Sequence, residues 1–294
     1  MLNIYRLMKF ILKHPLNKEN KIEAVKRFLI WQMSSRLMNC PIALPYINGT
    51  SLVAERGMSG ATGNWYCGLH EEEYMGFALH ILRREELFVD IGANIGSYTI
   101  LAAGAIGAYC FSVEPIPETV EKLKRNIRFN DLSSLVEVWA GGVSDQESLL
   151  KFSKDLGPMN HVLADEEVHG SFIEIPVAPL DCLLKERSPT LMKIDVEGHE
   201  LRVLNGASGT LSNDKLIAII IETNGSGARY GVADKQIYDA VSPHGFYPIS
   251  YDPVKREICS YDKSNSNTIF IRDIRLVEDR VRNADMFSLV NRTI

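Results

Sequence analysis

The sequence is poor in the features that mark several large protein classes. Cysteine is scarce: Cys40, Cys67, Cys110, Cys182 and Cys259 are scattered, odd in number and never spaced Cys-x-x-Cys, which excludes a disulfide framework and a thiolate zinc site. No apolar run reaches the length of a bilayer span, and Met1 to Leu12 is too interrupted by Asn3, Arg6 and Lys9 to read as a secretory signal. A basic excess is also missing. The chain has 32 Lys and Arg against 37 Asp and Glu, a net charge of −5, and a nucleic-acid-binding body would need a basic surface to meet phosphates. Internal repeats and low-complexity stretches are absent, and so is a Gly-x-Gly-x-x-Gly pyrophosphate loop. The composition that remains, 294 residues of which 46% are hydrophobic, suits one large domain with an extension in a reducing cytoplasm.

The most informative segment is Asp90-Ile91-Gly92-Ala93-Asn94-Ile95-Gly96-Ser97-Tyr98-Thr99, which follows the apolar run Leu87-Phe88-Val89 and leads into a helical stretch. It reads as a strand turning sharply into a helix around a ligand. Gly92 and Gly96 allow a tight bend and close approach to the main chain, and amides at a helix start can bind an anion. Without a pyrophosphate loop, a nucleoside cofactor such as S-adenosylmethionine fits better than a dinucleotide. Its carboxylate would use the loop amides, and nearby acids such as Asp90 would offset its positive charges. A second apolar run, Tyr109 to Val113, ends at Glu114-Pro115, 24 residues beyond Asp90, where an acid is placed to accept hydrogen bonds from ribose hydroxyls.

Elements alternate from there. Helices are expected at 71–82, 97–106, 117–130, 199–206 and 234–242, and strands at 87–91, 109–113, 135–139, 191–194, 216–221, 246–251 and 267–271. The last two strands lie too close for a helical crossover and should pair antiparallel, leaving one reversed strand at the sheet edge. Strands 148–153 and 172–178, joined by a polar loop with Asn160 and His161, form a small β insertion near the pocket. The expected division is 1–68, a helical N-terminal extension and connector or lid; 69–272, the cofactor-binding domain; and 273–294, a C-terminal helix with a frayed tail. Residues 1–39 read as two helices broken near Pro15 and ended by Pro41. Residues 1 to 40 carry eight Lys and Arg against two Glu, so the extension is +6 and the remainder −11. Packing on the body or on a second subunit is the favoured reading of these helices, with contact to an anionic membrane surface as the alternative.

Together, Phe88 to Thr99, Val113-Glu114-Pro115, Lys193-Ile194-Asp195-Val196-Glu197-Gly198-His199-Glu200 and Ile220-Ile221-Glu222 resemble the successive signatures of the FkbM-like S-adenosylmethionine-dependent methyltransferases. The resemblance covers roughly residues 70 to 250. It implies an α/β fold, a doubly wound, mostly parallel seven-stranded sheet of the class I methyltransferase, Rossmann-like type, and O-methylation of a sugar or polyketide hydroxyl. It also implies that Asp90, Gly92, Ala93, Asn94, Gly96 and Tyr98 hold the methionine part of the cofactor and that Glu114 and Pro115 hold the ribose. By analogy with the fold, Ser144 and Asp145 lie near the adenine; the competing reading of Asp145 is an ordinary turn residue.

Ligands of open parallel sheets bind beyond the carboxyl ends of the strands, which brings Asp90, Glu114, Asp195 and Glu222 around one crevice. Carboxylates crowded there need positive charge among them. The cofactor can supply it; a divalent metal on Asp195, Glu222 and Asn224 is the less favoured source. Methyl transfer to oxygen needs a proton acceptor, for which His199 and His161 are the candidates, with Asp195 and Glu197 beside them. Trp31, Tyr46, Trp65 and Tyr66 are more simply core residues than a sugar-stacking platform. The expected protein is a cytoplasmic O-methyltransferase acting on a hydroxyl of a carbohydrate or related secondary metabolite, with no nucleic-acid partner. A nucleotide-dependent oxidoreductase of the NAD(P) type and a catalytically silent scaffold are the competing readings.

Overall fold

The computed structural model describes residues 2–154, 160–164, 171–263 and 266–294. Two helices open the chain, α1 (Leu2–Lys13) and α2 (Lys21–Leu37), separated by a single turn at Pro15–Asn17. Proline fixes φ and lacks an amide hydrogen, so the break falls where the sequence puts Pro15. A short antiparallel hairpin follows, β1 (Ile42–Pro45) with β2 (Ser51–Ala54), and then α3 (Ser59–Cys67) and α4 (Glu72–Ile81). No helical signal in the sequence marks α3. Its Ser-Gly-Ala-Thr-Gly-Asn run has low helix propensity, and packing supplies the reason for it: a Cβ on Gly63 would meet the His70 ring at 2.3 Å.

The body then alternates: β3 (Leu87–Ile91), α5 (Ser97–Ile100) continued by a π-helical turn at Leu101–Ile106, β4 (Tyr109–Val113), α6 (Pro117–Phe129) and β5 (Val136–Trp139). The insertion comprises β6 (Gly142–Val143), β7 (Ser148–Ser153) and β8 (Phe172–Ala178), a separate three-stranded sheet ordered β6-β8-β7. Its connecting loop lies partly outside the described residues. After α7 (Leu180–Leu184) come β9 (Leu191–Ile194), α8 (Glu200–Asn205), α9 (Ser208–Ser212), β10 (Ala218–Glu222), α10 (Asp234–Val241), β11 (Tyr247–Asp252), β12 (Glu257–Cys259), β13 (Asn267–Ile271) and α11 (Ile274–Arg282).

The main sheet runs β12-β11-β13-β10-β9-β3-β4-β5. The pairs from β10 to β5 are all parallel, whereas β13 is antiparallel to both β10 and β11. Two expectations are corrected here. The short β12, paired antiparallel to β11, makes the sheet eight-stranded, and two strands are reversed rather than one, β12 at the edge and β13 between β10 and β11. The central strands are buried on both faces, as their near-continuous Ile, Leu, Val and Phe content requires; β9 and β13 have every residue buried.

One large apolar cluster includes Ile11, Phe28 and Trp31 of the first two helices, Phe77 of α4, Phe88 of β3 and Ile294 at the last position. The end of the chain is therefore not frayed. Phe287 and Ile294 are 4% exposed, and the Asn291 amide donates to the carbonyls of Leu16 and Cys67. Trp31, Tyr46 and Tyr66 are buried in this core, and the Trp65 indole donates to the Arg27 carbonyl.

Candidate active site

The order of parallel strands reverses between β3 and β9, and a cavity of about 300 Å³ opens at their carboxyl ends. Such switch points are where open α/β sheets take ligands, and the volume is at the lower end of ligand pockets. Asp90, Gly92, Ala93, Asn94, Tyr98, Glu114, Pro115, Asp195, Glu197, His199 and Glu222 all line it. Gly96, Ser144, Asp145, His161 and Asn224 are not among its lining residues.

On one side, the turn after β3 is pressed against the end of β9. Gly92 has φ +83°, and a Cβ there would come within 1.8 Å of the Asp195 carbonyl oxygen, so only glycine fits. Four of the turn's amides are engaged within the loop: Gly92 and Ala93 donate to the Val113 carbonyl, Asn94 to Glu114 Oε2 and Gly96 to the Ala93 carbonyl. The loop closes on itself and shapes a wall.

Asp90 is 1% exposed. Thr99 Oγ1 donates to its Oδ2 at 2.7 Å, while Oδ1 is buried with no hydrogen-bond partner among the described residues. Burial pushes the Asp90 carboxyl upward, opposed by the nearby Lys193. Glu114 accepts from the amides of Asn94 and Ile116, both at 3.0 Å, and burial raises it to about 7. Each Glu114 oxygen has taken one hydrogen and keeps a second lone pair. An orphaned acid and a half-satisfied acid, 24 residues apart on adjacent parallel strands, suit the cationic and ribose parts of S-adenosylmethionine.

The other side is built from β9, β10 and the extension. Lys193, a lone cation in the buried run Leu191–Ile194, pairs with Asp90 in the β3–β9 register. Its Nζ is 2.6 Å from Asp195 Oδ2 and 4.8 Å from the centre of the Tyr98 ring. Burial would lower this ammonium, yet Asp195, Glu71 and Asp90 hold it above its ordinary value. Glu71 comes from the start of α4 and accepts the Tyr98 hydroxyl proton at 2.6 Å. Sequence reasoning missed both Lys193 and Glu71. For Lys193 a signal existed, a charged residue inside a strand otherwise apolar on both faces; for Glu71 there was none.

Asp195, Glu197 and Glu222 each offer a carboxylate oxygen within 4.8 Å of the others. Asn224 does not complete this group, because its amide oxygen accepts from Ser226 and its amide nitrogen donates to Glu222 Oε1. Burial, with Asp195, Glu197 and Glu200 nearby, lifts Glu222 to about 9, so its carboxyl is neutral at neutral pH. Glu197 is raised by burial and by Asp195. Its backbone sits at φ +56°, uncommon for a branched-free but long side chain, and is followed by Gly198, whose Cβ would meet the Ser226 carbonyl at 2.7 Å.

His199 lines the cavity with its ring set edge-on against Tyr230. Its Nε2 is 3.1 Å from Ser144 Oγ, which also lies 3.2 Å from Asp145 Oδ1. Burial and Arg202 lower His199 to about 4, so the ring is neutral. Asp145 is held by Arg202 and Ser144. His161 is buried next to the cavity rather than in its wall, close enough to act electrostatically on Glu197. Its neighbours Asn160 and Val162 do line the cavity, and the Val162 carbonyl accepts the Tyr230 hydroxyl, tying the insertion over the site. Ser59, Gly60 and Asn64 of α3 close the remaining side.

A doubly wound, mostly parallel sheet with a site of this kind at the switch point defines the class I methyltransferase architecture. A profile of the methyltransferase FkbM domain matches residues 90–246, more than half of the chain. The chain belongs to the FkbM family of S-adenosylmethionine-dependent methyltransferases. It is similar to the hexuronic acid methyltransferase AglP of Haloferax volcanii, 26% identical over 156 residues, which are 51% of this chain and 62% of that relative's length. Among solved structures it is similar to the methyltransferase FkbM of Methylobacillus flagellatus KT, with a TM-score of 0.45, 17% identity, and coverage of 85% of this chain and 60% of that one. An S-adenosylmethionine-dependent O-methyltransferase of Thermotoga maritima gives a TM-score of 0.39 at 11% identity, covering 67% of this chain and 62% of that one.

Proposed function

We propose that the protein transfers the methyl group of S-adenosylmethionine to a hydroxyl of a carbohydrate or a related secondary metabolite. The observation that carries this reading is the convergence of Asp90, Glu114, Asp195 and Glu222 on one cavity, with a buried Asp90 oxygen lacking a partner. The hexuronic acid named for the archaeal relative supports a sugar acceptor.

When bound, the donor supplies an electrophilic methyl on a sulfonium. The chain's own part is to position. Glu114 accepts from the ribose hydroxyls, Asp90 faces the cationic end, and the Gly92 turn fixes the wall between them. Lys193, buried and paired with Asp195, keeps the acids at the acceptor side from repelling one another. An acceptor hydroxyl held beside the Asp195–His199 loop would be aligned with the donor there, and proximity would supply much of the acceleration. His199, neutral in this setting, would take the hydroxyl proton as the new C–O bond forms.

Calorimetry separates this reading from the oxidoreductase: S-adenosylhomocysteine binds and NAD does not. With a panel of hydroxylated acceptors, S-adenosylhomocysteine release identifies the substrate class, and no release with any acceptor despite tight binding would favour the silent scaffold. His199→Ala is expected to lower kcat by about 100-fold with S-adenosylhomocysteine affinity intact. Undiminished turnover in both His199→Ala and His161→Ala would remove the imidazole base and leave the family reading standing.

A further inference from the structure

Half of the exposed large hydrophobic side chains among the described residues fall within the first 38 positions. On α2, Ile22, Leu29, Ile30, Met33 and Leu37 are between 51% and 80% exposed, and at 3.6 residues per turn they share an arc of about 100°. The opposite arc, Ala24, Phe28 and Trp31, is buried in the main core. The helix is thus apolar on two faces, and the body of the chain covers one of them. Ordinary scattered exposure does not produce a continuous stripe of this kind.

The charge around the stripe selects its occupant. Lys26 lies within the arc, its ammonium paired with Glu23, and Arg36 lies at its margin. The neighbouring α1 adds Arg6, Lys9 and Lys13, so that residues 1 to 40 are +6 while the rest of the chain is −11. A two-fold contact between copies through this stripe would set one +6 segment against another. An anionic lipid surface reverses the sign of that interaction, accepts the apolar stripe below the headgroups and lets Lys and Arg reach up to phosphate. We propose that the outer face of α2, with the basic face of α1, docks the protein peripherally on an anionic membrane. The α3 helix, packed on the inner side of α2, contributes Ser59, Gly60 and Asn64 to the cavity, so docking brings the site wall to one helix layer from the lipid.

The inference does not depend on the acceptor. The full chain is mixed with phosphatidylcholine vesicles with and without phosphatidylglycerol and the vesicles are sedimented. Association is expected only with phosphatidylglycerol, weakening as salt is added. Leu29→Ser/Met33→Ser/Leu37→Ser is expected to weaken it by about tenfold or more, with the thermal midpoint and S-adenosylhomocysteine affinity unchanged because these side chains are exposed. Failure to bind phosphatidylglycerol vesicles, binding indifferent to the serine substitutions, or a concentration-dependent dimer dissolved by those substitutions would each overturn it.

Discussion

The two halves of the cavity are built on different terms. Around the ends of β3 and β4 the loop is knit together by its backbone: the amides of Gly92, Ala93, Asn94 and Gly96 go to Val113, Glu114 and Ala93, and Gly92 fills a gap that no other residue can enter. Around β9 and β10 the conflict is electrostatic: three acids crowd together, Glu197 holds a left-handed backbone, and one buried lysine bridges to the other half. The first half is rigid through geometry and the second is balanced through charge. A mutation in the turn of the first half should act on folding at every pH, whereas one among the acids of the second should act through protons and ion pairs.

The sharpest way to break that contrast is Gly92→Ala. A Cβ overlapping the Asp195 carbonyl, at a φ that alanine avoids, should cost about 3 kcal/mol or more and abolish donor binding. Chemical unfolding checks it. A variant within about 0.5 kcal/mol of the parent would mean that the turn yields and that its rigidity is not what shapes the wall.

The difference between the halves also explains what the sequence could reveal. Asp90, Gly92 and Glu114 are legible because a sharp strand-to-helix turn and an acid at the end of the next strand mark particular residue types at a local spacing. Asp195 and Glu222 were legible from strand-end position alone. Lys193 stands within its motif without a local sign of its place in the site, because its meaning depends on a register that pairs it with Asp90 across two strands distant in sequence. Glu71 depends on Tyr98 in a different element, and α3 forms against its own propensity because packing beside His70 requires small residues. Local rules found the donor half; the acceptor half is assembled from contacts that only the fold creates.

Lys193→Met tests the charge-balanced half. Removing the ammonium leaves Asp195 and the other acids without a cation, and breaking a buried pair of this kind typically costs about 3 kcal/mol. If pairing is the cause, Lys193→Met/Asp195→Leu should recover most of that loss, and a double-mutant cycle by thermal unfolding measures the coupling. Equal destabilisation in the single and double variants would show that Lys193 acts by filling space over Tyr98 rather than by neutralising acids.

The smallest effect, and the most specific to the acceptor half, is the response of Glu222 to pH. Its folded pKa of about 9 lies above its ordinary value of 4.5, so the folded chain holds this proton more tightly than the unfolded chain does. The resulting stability is complete below the ordinary value and is lost as pH rises through about 9. Glu114, lifted to about 7, adds a similar loss that ends lower on the scale. Between about 7 and about 9 the slope therefore belongs to Glu222, and Glu222→Gln should flatten it in that window and reduce it between 4.5 and 7, where Glu114 and Glu200 still contribute. Thermal midpoints recorded across the range read this directly; parallel curves for parent and variant would show that the acid crowding is not relieved by protonation. With a proton on Glu222 and Lys193 beside Asp195 supplying the charge balance, turnover should survive exhaustive EDTA. Lost turnover restored by Mg²⁺ would instead assign the Asp195, Glu197 and Glu222 oxygens to a metal, with Glu222 ionised.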